Sequence, residues 1–400
     1  MNGRIQSLDQ IRGLAVMGIF SANIAAMGLL KAAGTSPTLV GFDTLADRLE
    51  WMLNLVLVDG KMRGLFSLLF GASMVLISER ALARDREPFA VHLPRLLVLG
   101  LFGLAHALFL WWGDILLHYA LVGLLALFFV SKPPRFLFAW GTIFLIANAL
   151  LLGAIAWWSM DSAVQPGDPL GLLSVDPAPP ATLAEAAAFH ATPFTHFAHQ
   201  WPGFAAHQLN LSLFLLPETL GFMLLGMALH KAGFLAGDYS QGVYRRWAVG
   251  GLGAGALVGT VAAWLAWAHD FTPLFTQMAS GGLTFWVKPF MVLGYAALVI
   301  LACRRPSALG DRLAAVGRAA FTNYLGATIV MTPFLFGFGA GLFDRLGRAT
   351  LWLAFVPAMW ALMLLWSKPW LDRYRYGPLE WLWRVLARAT WQPLRLRSAA

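Results

Sequence analysis

Long apolar runs recur from one end of this 400-residue chain to the other. A helix crossing a bilayer needs about 20 mostly apolar residues. Stretches of that kind fall at 13–33, 51–78, 95–112, 114–131, 136–158, 209–230, 246–268, 283–302, 319–340 and 350–367. The chain therefore reads as an all-α polytopic integral membrane helix bundle of about ten transmembrane spans. Composition agrees: 59% of residues are hydrophobic and 12% charged, where soluble domains carry roughly 25% charged residues. The first run, Leu14 to Ala33, exceeds the apolar core of a signal peptide and more runs follow, so it reads as an uncleaved span. The second run is interrupted by Asp59, Gly60, Lys61 and Arg63, and reads either as one span or as two segments.

Lys and Arg set the expected orientation. With the N-terminus inside, the inner segments hold Arg4 and Arg12, Arg80, Arg84 and Arg86, Lys132 and Arg135, Lys231, Arg245 and Arg246, and then Arg304, Arg305, Arg312 and Arg318. No Lys or Arg occurs from Phe136 to His230. An even number of spans keeps this pattern. The expected organisation is a bundle over 1–371 with an outer loop at about 159–208, and a cytoplasmic interfacial amphipathic tail over 372–400. Within the outer loop, Gln165 to Pro180 should be irregular, and Thr182 with Glu185 resembles a capping box that starts a short helix. The tail mixes Trp381, Trp383 and Trp391 with Arg384, Arg388 and Arg395, which suits a helix lying on anionic lipid.

Several function classes fall away. The net charge of +9 is parcelled between apolar runs rather than gathered on one patch, which argues against nucleic acid. The single cysteine, Cys303, rules out an internal disulfide and a Cys-rich zinc site. The loop histidines His190, His196, His199 and His207 lack HExxH-type spacing, so no metal is expected. Gly251-x-Gly253-x-x-Ala256 lies inside an apolar run without a preceding strand. Gly251, Gly255 and Gly259 read instead as the small-residue seam of packed membrane helices.

Ionisable groups inside spans carry more information, because lipid makes them expensive. His106 lies in the third span, Asp114 follows the Trp111-Trp112-Gly113 break, and His118 is four residues on. A hairpin at Gly113 would bring His106 and Asp114 together toward the outer half of the bilayer, in a cavity open toward the outer face. A carboxylate beside an imidazole raises its basicity and fixes its tautomer, as a proton-shuttling base requires. A structural histidine bridging helices fits the same residues. Glu218 lies mid-span after Pro217. Lys61 and Arg63 could receive an anionic head group or snorkel to an interface. Asp9 and Arg12 can pair on one helix face, Asn23 is three turns further in, and Asn323 with Tyr324 opens the ninth span. Asp9, Arg12 and Asn23 are expected to share a cavity with Asn323 and Tyr324.

Five blocks carry a family resemblance: Ser7 to Ile19, Asp59 to Gly71, Gly103 to Ile115 with Tyr119, Gly317 to Tyr324, and Tyr376 to Arg384. Together they resemble the YeiB-like family of bacterial inner-membrane proteins, a domain of unknown function. That family is similar to the transmembrane acyltransferases, among them a heparan glucosaminide acetyltransferase and bacterial sugar O-acetyltransferases. The resemblance implies an N-terminal Arg followed, after ten residues, by a polar residue, which in the sugar O-acetyltransferases is histidine. Arg12 and Asn23 keep the spacing with asparagine, which cannot act as a base. The base is then sought at His106, oriented by Asp114.

The expectation from these residues is an acyltransferase moving an acyl group from a cytosolic thioester to a cell-envelope glycan or lipid. His106 and Asp114 would be catalytic, with Asp9, Arg12, Asn23, Lys61, Glu218, Tyr119, Asn323 and Tyr324 binding substrate. Acyl-coenzyme A is the expected donor by analogy, with no permanently bound cofactor and no metal. The rival expectation is a transporter or lipid-carrier flippase that uses Asp59, Lys61, Glu218, His106 and Asp114 as a proton and anion path. The expected location is the bacterial inner membrane with both termini cytoplasmic. Membrane lipid and an envelope acceptor are the expected partners, and a homo-oligomer stays open.

Overall fold

The computed structural model describes residues 6–34, 36–162 and 179–396. Fifteen α-helices run in order: α1 Gln6–Gly28, α2 Leu45–Leu57, α3 Lys61–Leu82, α4 Pro88–Phe109, α5 Leu116–Ala126, α6 Pro134–Ser162, α7 Pro179–His190, α8 Pro193–Lys231, α9 Gln241–Ala268, α10 Pro273–Gln277, α11 Thr284–Cys303, α12 Ala308–Arg318, α13 Ala320–Leu335, α14 Arg348–Arg373 and α15 Pro378–Arg388. The only β pairing among the described residues is an isolated bridge between Tyr374 and Arg395. Among the described residues, eight helical stretches, with α2 and α3 taken as one, are long and apolar enough to cross a membrane. The protein is a polytopic helical membrane protein.

Two expected spans are shorter than the rest. The stretch at 114–131 is helical over Leu116–Phe129. The stretch at 319–340 is helical only to Leu335, where Phe336 turns extended. Gly337 and Gly339 then press against the backbones of His190 and Pro333, with no room for a Cβ. The hydropathy of that segment belongs partly to a packed glycine turn. The second stretch resolves into two helices, α2 and α3, joined at Gly60 with φ of 69°, a left-handed conformation that glycine adopts without a Cβ clash.

Small residues fix the helix crossings. Gly71 of α3 lies against the Met223 carbonyl of α8, and Gly226 of α8 lies against the Leu68 carbonyl of α3. On α9, Gly251 meets the Phe290 carbonyl, Gly255 meets Met291 and Gly259 meets Val56. These three form the packing seam that their spacing predicts.

One end of the bundle holds the start of α1, the α3–α4 turn, α12 and α15; it is the arginine-rich face. The other holds the turns after α1, α4 and α13, and is called the loop face. In the expected outer loop, residues 163–178 lie outside the described ones, and with them most of the segment expected to be irregular. A helix does occupy that loop, but it starts at Pro179 rather than at Thr182. Glu185, expected to close a capping box, accepts instead from the Lys31 backbone N–H at 3.2 Å. Burial raises the Glu185 carboxyl above its ordinary range, and the nearby Lys31 opposes that rise.

The tail folds back onto the bundle. Trp383 of α15 donates its indole N–H to the Arg95 carbonyl at 2.8 Å, and the Arg95 guanidinium lies 4.5 Å from that ring's centre. Glu380 caps α13: it accepts from the N–H groups of Phe321 at 2.7 Å and Thr322 at 3.0 Å, and from the Thr322 hydroxyl at 2.5 Å. A carboxylate there meets the orphan donors at the positive end of the helix. Burial nevertheless pushes the Glu380 carboxyl above its ordinary range, with those hydrogen bonds opposing the rise.

Candidate functional site

A cavity of about 1200 Å³ opens on the arginine-rich face and runs between α1, α3, α4, α5, α13 and α15. Its wall carries Arg12, Arg80, Arg84, Arg95, Arg318, Arg375 and Arg384 against only three acids, Asp9, Glu79 and Glu380. Arg80, Arg84 and Arg375 are exposed at the mouth. Deeper in, the wall turns apolar and aromatic, with Phe66, Phe70, Leu96, Leu99 and Phe321, and it ends at Ile115, Leu116, Tyr119 and Tyr324. Arg12 is fixed at the wall by the Asp9 carboxylate at 3.3 Å and the Ser73 hydroxyl at 2.8 Å.

The break at Gly113 returns the chain as expected. His106 Nδ1 lies 2.8 Å from Asp114 Oδ1, and Nε2 lies 3.1 Å from the Thr328 hydroxyl of α13. Asp114 Oδ2 accepts from the Leu117 N–H at 2.9 Å. With Asp114 ionised, Nδ1–H donates to it and Nε2 accepts from Thr328. Both residues are almost fully buried, at 2% and 0% exposure, and neither lines the large cavity. The dyad was expected in a cavity open toward the outer face. It sits instead behind Tyr324, whose ring centre is 5.5 Å from that of His106. The Tyr324 hydroxyl is buried and faces the Ile115 backbone. A void of about 10 Å³ between Asn23, Trp111, Tyr324 and Thr328 adjoins the dyad. That is about the size for one water.

On the other side of the cavity's end, the Tyr119 hydroxyl bonds the Ser67 hydroxyl at 2.8 Å and donates to the Arg63 carbonyl at 3.2 Å. Beyond it lies an ion cluster. Glu218, 1% exposed, accepts from Arg63 at 2.8 Å and from Lys288 at 3.1 Å. His118 Nε2 lies 2.9 Å from the Thr219 hydroxyl. Lys61 is 1% exposed and donates to the Leu55 carbonyl.

The sequence-derived residues thus fall into separate places. Asp9, Arg12, Tyr119 and Tyr324 line the cavity, and Asn23 with Tyr324 lines the small void. Asn323 reaches neither: it donates to the Val316 carbonyl and Ser367 hydroxyl at 3.1 Å each, and accepts from Trp366 at 2.8 Å. It bridges α12, α13 and α14. Lys288 escaped the sequence reading, although a lysine within the run at 283–302 is the same signal that marked Glu218. Thr328 and Ser73 carry no such signal. Of the cavity arginines only Arg12 was read as a binding residue; the others were legible at most as charges near the ends of spans. The side chains of His196 and His199 lie outside the described ones. Among the described residues, no group of three or more His, Cys, Asp or Glu side chains could hold a metal.

The protein described as "Uncharacterized protein YeiB" of Escherichia coli (strain K12) is 33% identical over 95% of this chain and 95% of its own length. "Uncharacterized protein YxaH" of Bacillus subtilis (strain 168) is 28% identical over 99% of this chain and 97% of its own. The "Uncharacterized 39.9 kDa protein in amylase 3'region" of Bacillus acidopullulyticus is also 28% identical, over 100% of this chain and 98% of its own. No solved structure matches the chain. Residues 229–390 match the family described as "Protein of unknown function (DUF418)". That segment holds α13 and α15, which wall the cavity, and Lys288. With likeness to YeiB extending over nearly all of both chains, the protein belongs to the YeiB-like DUF418 family of membrane proteins.

Proposed function

We propose that this protein is a membrane-embedded acyltransferase that moves an acyl group from a phosphate-bearing thioester to a hydroxyl or amine of a cell-envelope glycan or lipid. The observation that carries this reading is the cavity of about 1200 Å³: a cationic mouth, an apolar shaft, and a blind end one tyrosine away from a His–Asp dyad. An anionic donor such as acyl-coenzyme A would place its phosphates among the arginines and its acyl arm along Phe66, Phe70 and Leu99. His106 Nε2 would take the acceptor's proton once the Thr328 hydroxyl yields that lone pair, with Asp114 holding the imidazole. The acceptor oxygen or nitrogen then attacks the thioester carbonyl, the C–S bond breaks, and the imidazolium returns the proton to the departing thiolate.

In this reading the arginine-rich face is cytoplasmic, in a bacterial inner membrane, with both termini inside. The positive-inside rule supports that side, since the loop face carries far fewer basic groups, with Lys31, Arg48, Arg345 and Arg348 the ones nearest it. An impermeant thiol reagent applied to intact cells should label a cysteine placed at Gln165 and spare one at Arg388. The reverse result rejects the topology.

Mass spectrometry of envelope glycans and lipids tests the chemistry. His106→Ala should abolish an acyl modification seen with the wild type, and Asp114→Asn should reduce it less. If wild type, His106→Ala and a deletion strain give one acyl pattern, the enzyme reading fails. A second reading, transport, is favoured by the buried Arg63–Glu218–Lys288 network, a kind of group that proton and ion relays use. It predicts altered uptake without an acylated product.

A further inference from the structure

Three cations and one carboxylate are enclosed where α2, α3, α8 and α11 meet. Glu218 serves two of them, Arg63 through Oε2 and Lys288 through Oε1. Lys61 does not reach it; its ammonium donates to the Leu55 carbonyl, within electrostatic range of Lys288 and Asp59. Asp59, exposed on the turn before α3, acts on all three cations. Three positive charges less the one of Glu218 leave an excess of two, and Asp59 lowers it to one. An uncompensated charge inside a bilayer is costly, so this excess calls for an anion.

Donors are left over as well as charge. Each ammonium has three N–H groups, and Lys61 and Lys288 each give one to a protein oxygen. The Lys288 ammonium also faces the Phe285 ring at 3.8 Å. Arg63 Nε has no partner, and that side chain is 27% exposed while Lys288 is 6% and Glu218 1%. The Lys288 ammonium packs against the Gly60 turn, where an added Cβ would stand 2.9 Å from Nζ.

The geometry points to an oxyanion site here, taking a phosphate group of one or two negative charges between Lys61, Arg63 and Lys288, with Glu218 as the resident counter-anion. None of these four residues lines the arginine cavity. Tyr119 links the two places: it lines the cavity and its hydroxyl donates to the Arg63 carbonyl. The site therefore stands apart from the donor cavity, toward the loop face, and holds whether the protein transfers or transports. The phosphate could be that of a lipid head group or a free phosphate.

The test uses the full chain in maltoside micelles, which carry no phosphate, and follows the thermal unfolding midpoint against inorganic phosphate. A ligand bound to the folded state raises the midpoint with concentration. Lys288→Gln and Lys61→Gln should each raise the phosphate concentration for half-effect by about tenfold, the size of one charge-assisted hydrogen bond. Arg84→Gln should leave that component in place. Lys61→Gln breaks no ion pair, and its amide can keep the Leu55 bond, so the test survives if Lys288→Gln fails to fold. Added phosphatidylglycerol that displaces the phosphate response identifies a head group as the source; a response it leaves intact identifies free phosphate. Equal phosphate responses in the wild type and both lysine variants overturn the site, as does a response lost only in Arg84→Gln.

Discussion

Arg63 and Lys288 share one carboxylate at 2.8 and 3.1 Å in the interior, whereas seven arginines of the cavity stand around about 1200 Å³ with three acids among them. The side-chain types are the same and their surroundings are not. In the interior each charge is enclosed by protein and lipid, so its partner decides whether the bundle can form. At the mouth Arg80, Arg84 and Arg375 keep access to water, and their charge is free to act on a ligand. Burial ties the interior cations to a shared carboxylate whose loss costs stability, whereas a solvated charge at the mouth can be lost at little cost.

The largest expected effect comes from removing the interior acid. Glu218→Gln takes from Arg63 and Lys288 the carboxylate they share and should cost about 3–5 kcal/mol of stability, read as a lowered unfolding midpoint in detergent. A loss below about 1 kcal/mol would erase the contrast between the two regions. Next comes the mouth. Arg84→Gln should move stability by no more than about 0.5 kcal/mol while weakening binding of a phosphate-bearing thioester by about tenfold, measured by titration of acetyl-coenzyme A against tryptophan fluorescence. Unchanged affinity would detach the cavity from anion binding.

The smallest effect sharpens the boundary. Glu380 belongs to the cavity wall yet is buried, and its carboxyl is raised above the ordinary 4.5. A raised acid stabilises the folded state below its unfolded pKa, and that contribution is lost as pH climbs through the folded pKa. Docking of α15 should therefore weaken as pH rises from about 4.5 through the shifted value. Hydrogen exchange of the α13 N-terminal amides across that range should show it, and Glu380→Gln should flatten the dependence. A flat wild-type profile would place Glu380 with the solvated charges.

The bundle was legible because lipid imposes one rule on every span, and apolar runs report it directly. The dyad was legible for a related reason: His106 and Asp114 flank a glycine break, so their approach is a short-range consequence of the turn. The partners of Glu218 were half legible. Arg63 was noted for its charge, but nothing local ties residue 63 to 218 or to 288. The cavity was legible in part: Asp9, Arg12 and Tyr324 were expected to share one and do, while Asn23 and Asn323 lie elsewhere. Seven arginines spread from residue 12 to residue 384 converge only through tertiary packing, and each alone looks like a charge at the end of a span. Asn323 was misjudged by the same gap, since an asparagine in a membrane helix signals a partner without saying whether that partner is a substrate or, as here, Ser367 and Trp366.

The depth of the cavity bears on how the protein meets a voltage. It runs from the arginine-rich face to Ile115 and Leu116, at the first turn of α5 on the far side of the bundle. Water filling such a recess conducts, so little of the membrane potential falls along it. The drop is compressed into the remaining wall of Tyr119, Tyr324 and the Trp111–Asp114 turn. A charge crossing that wall is worth about 2.3 kcal/mol per 100 mV, although the distance it travels is only a fraction of the bilayer. Any ion or proton passing between His106 and the far face, or between the Glu218 cluster and the cavity, would feel almost the full field.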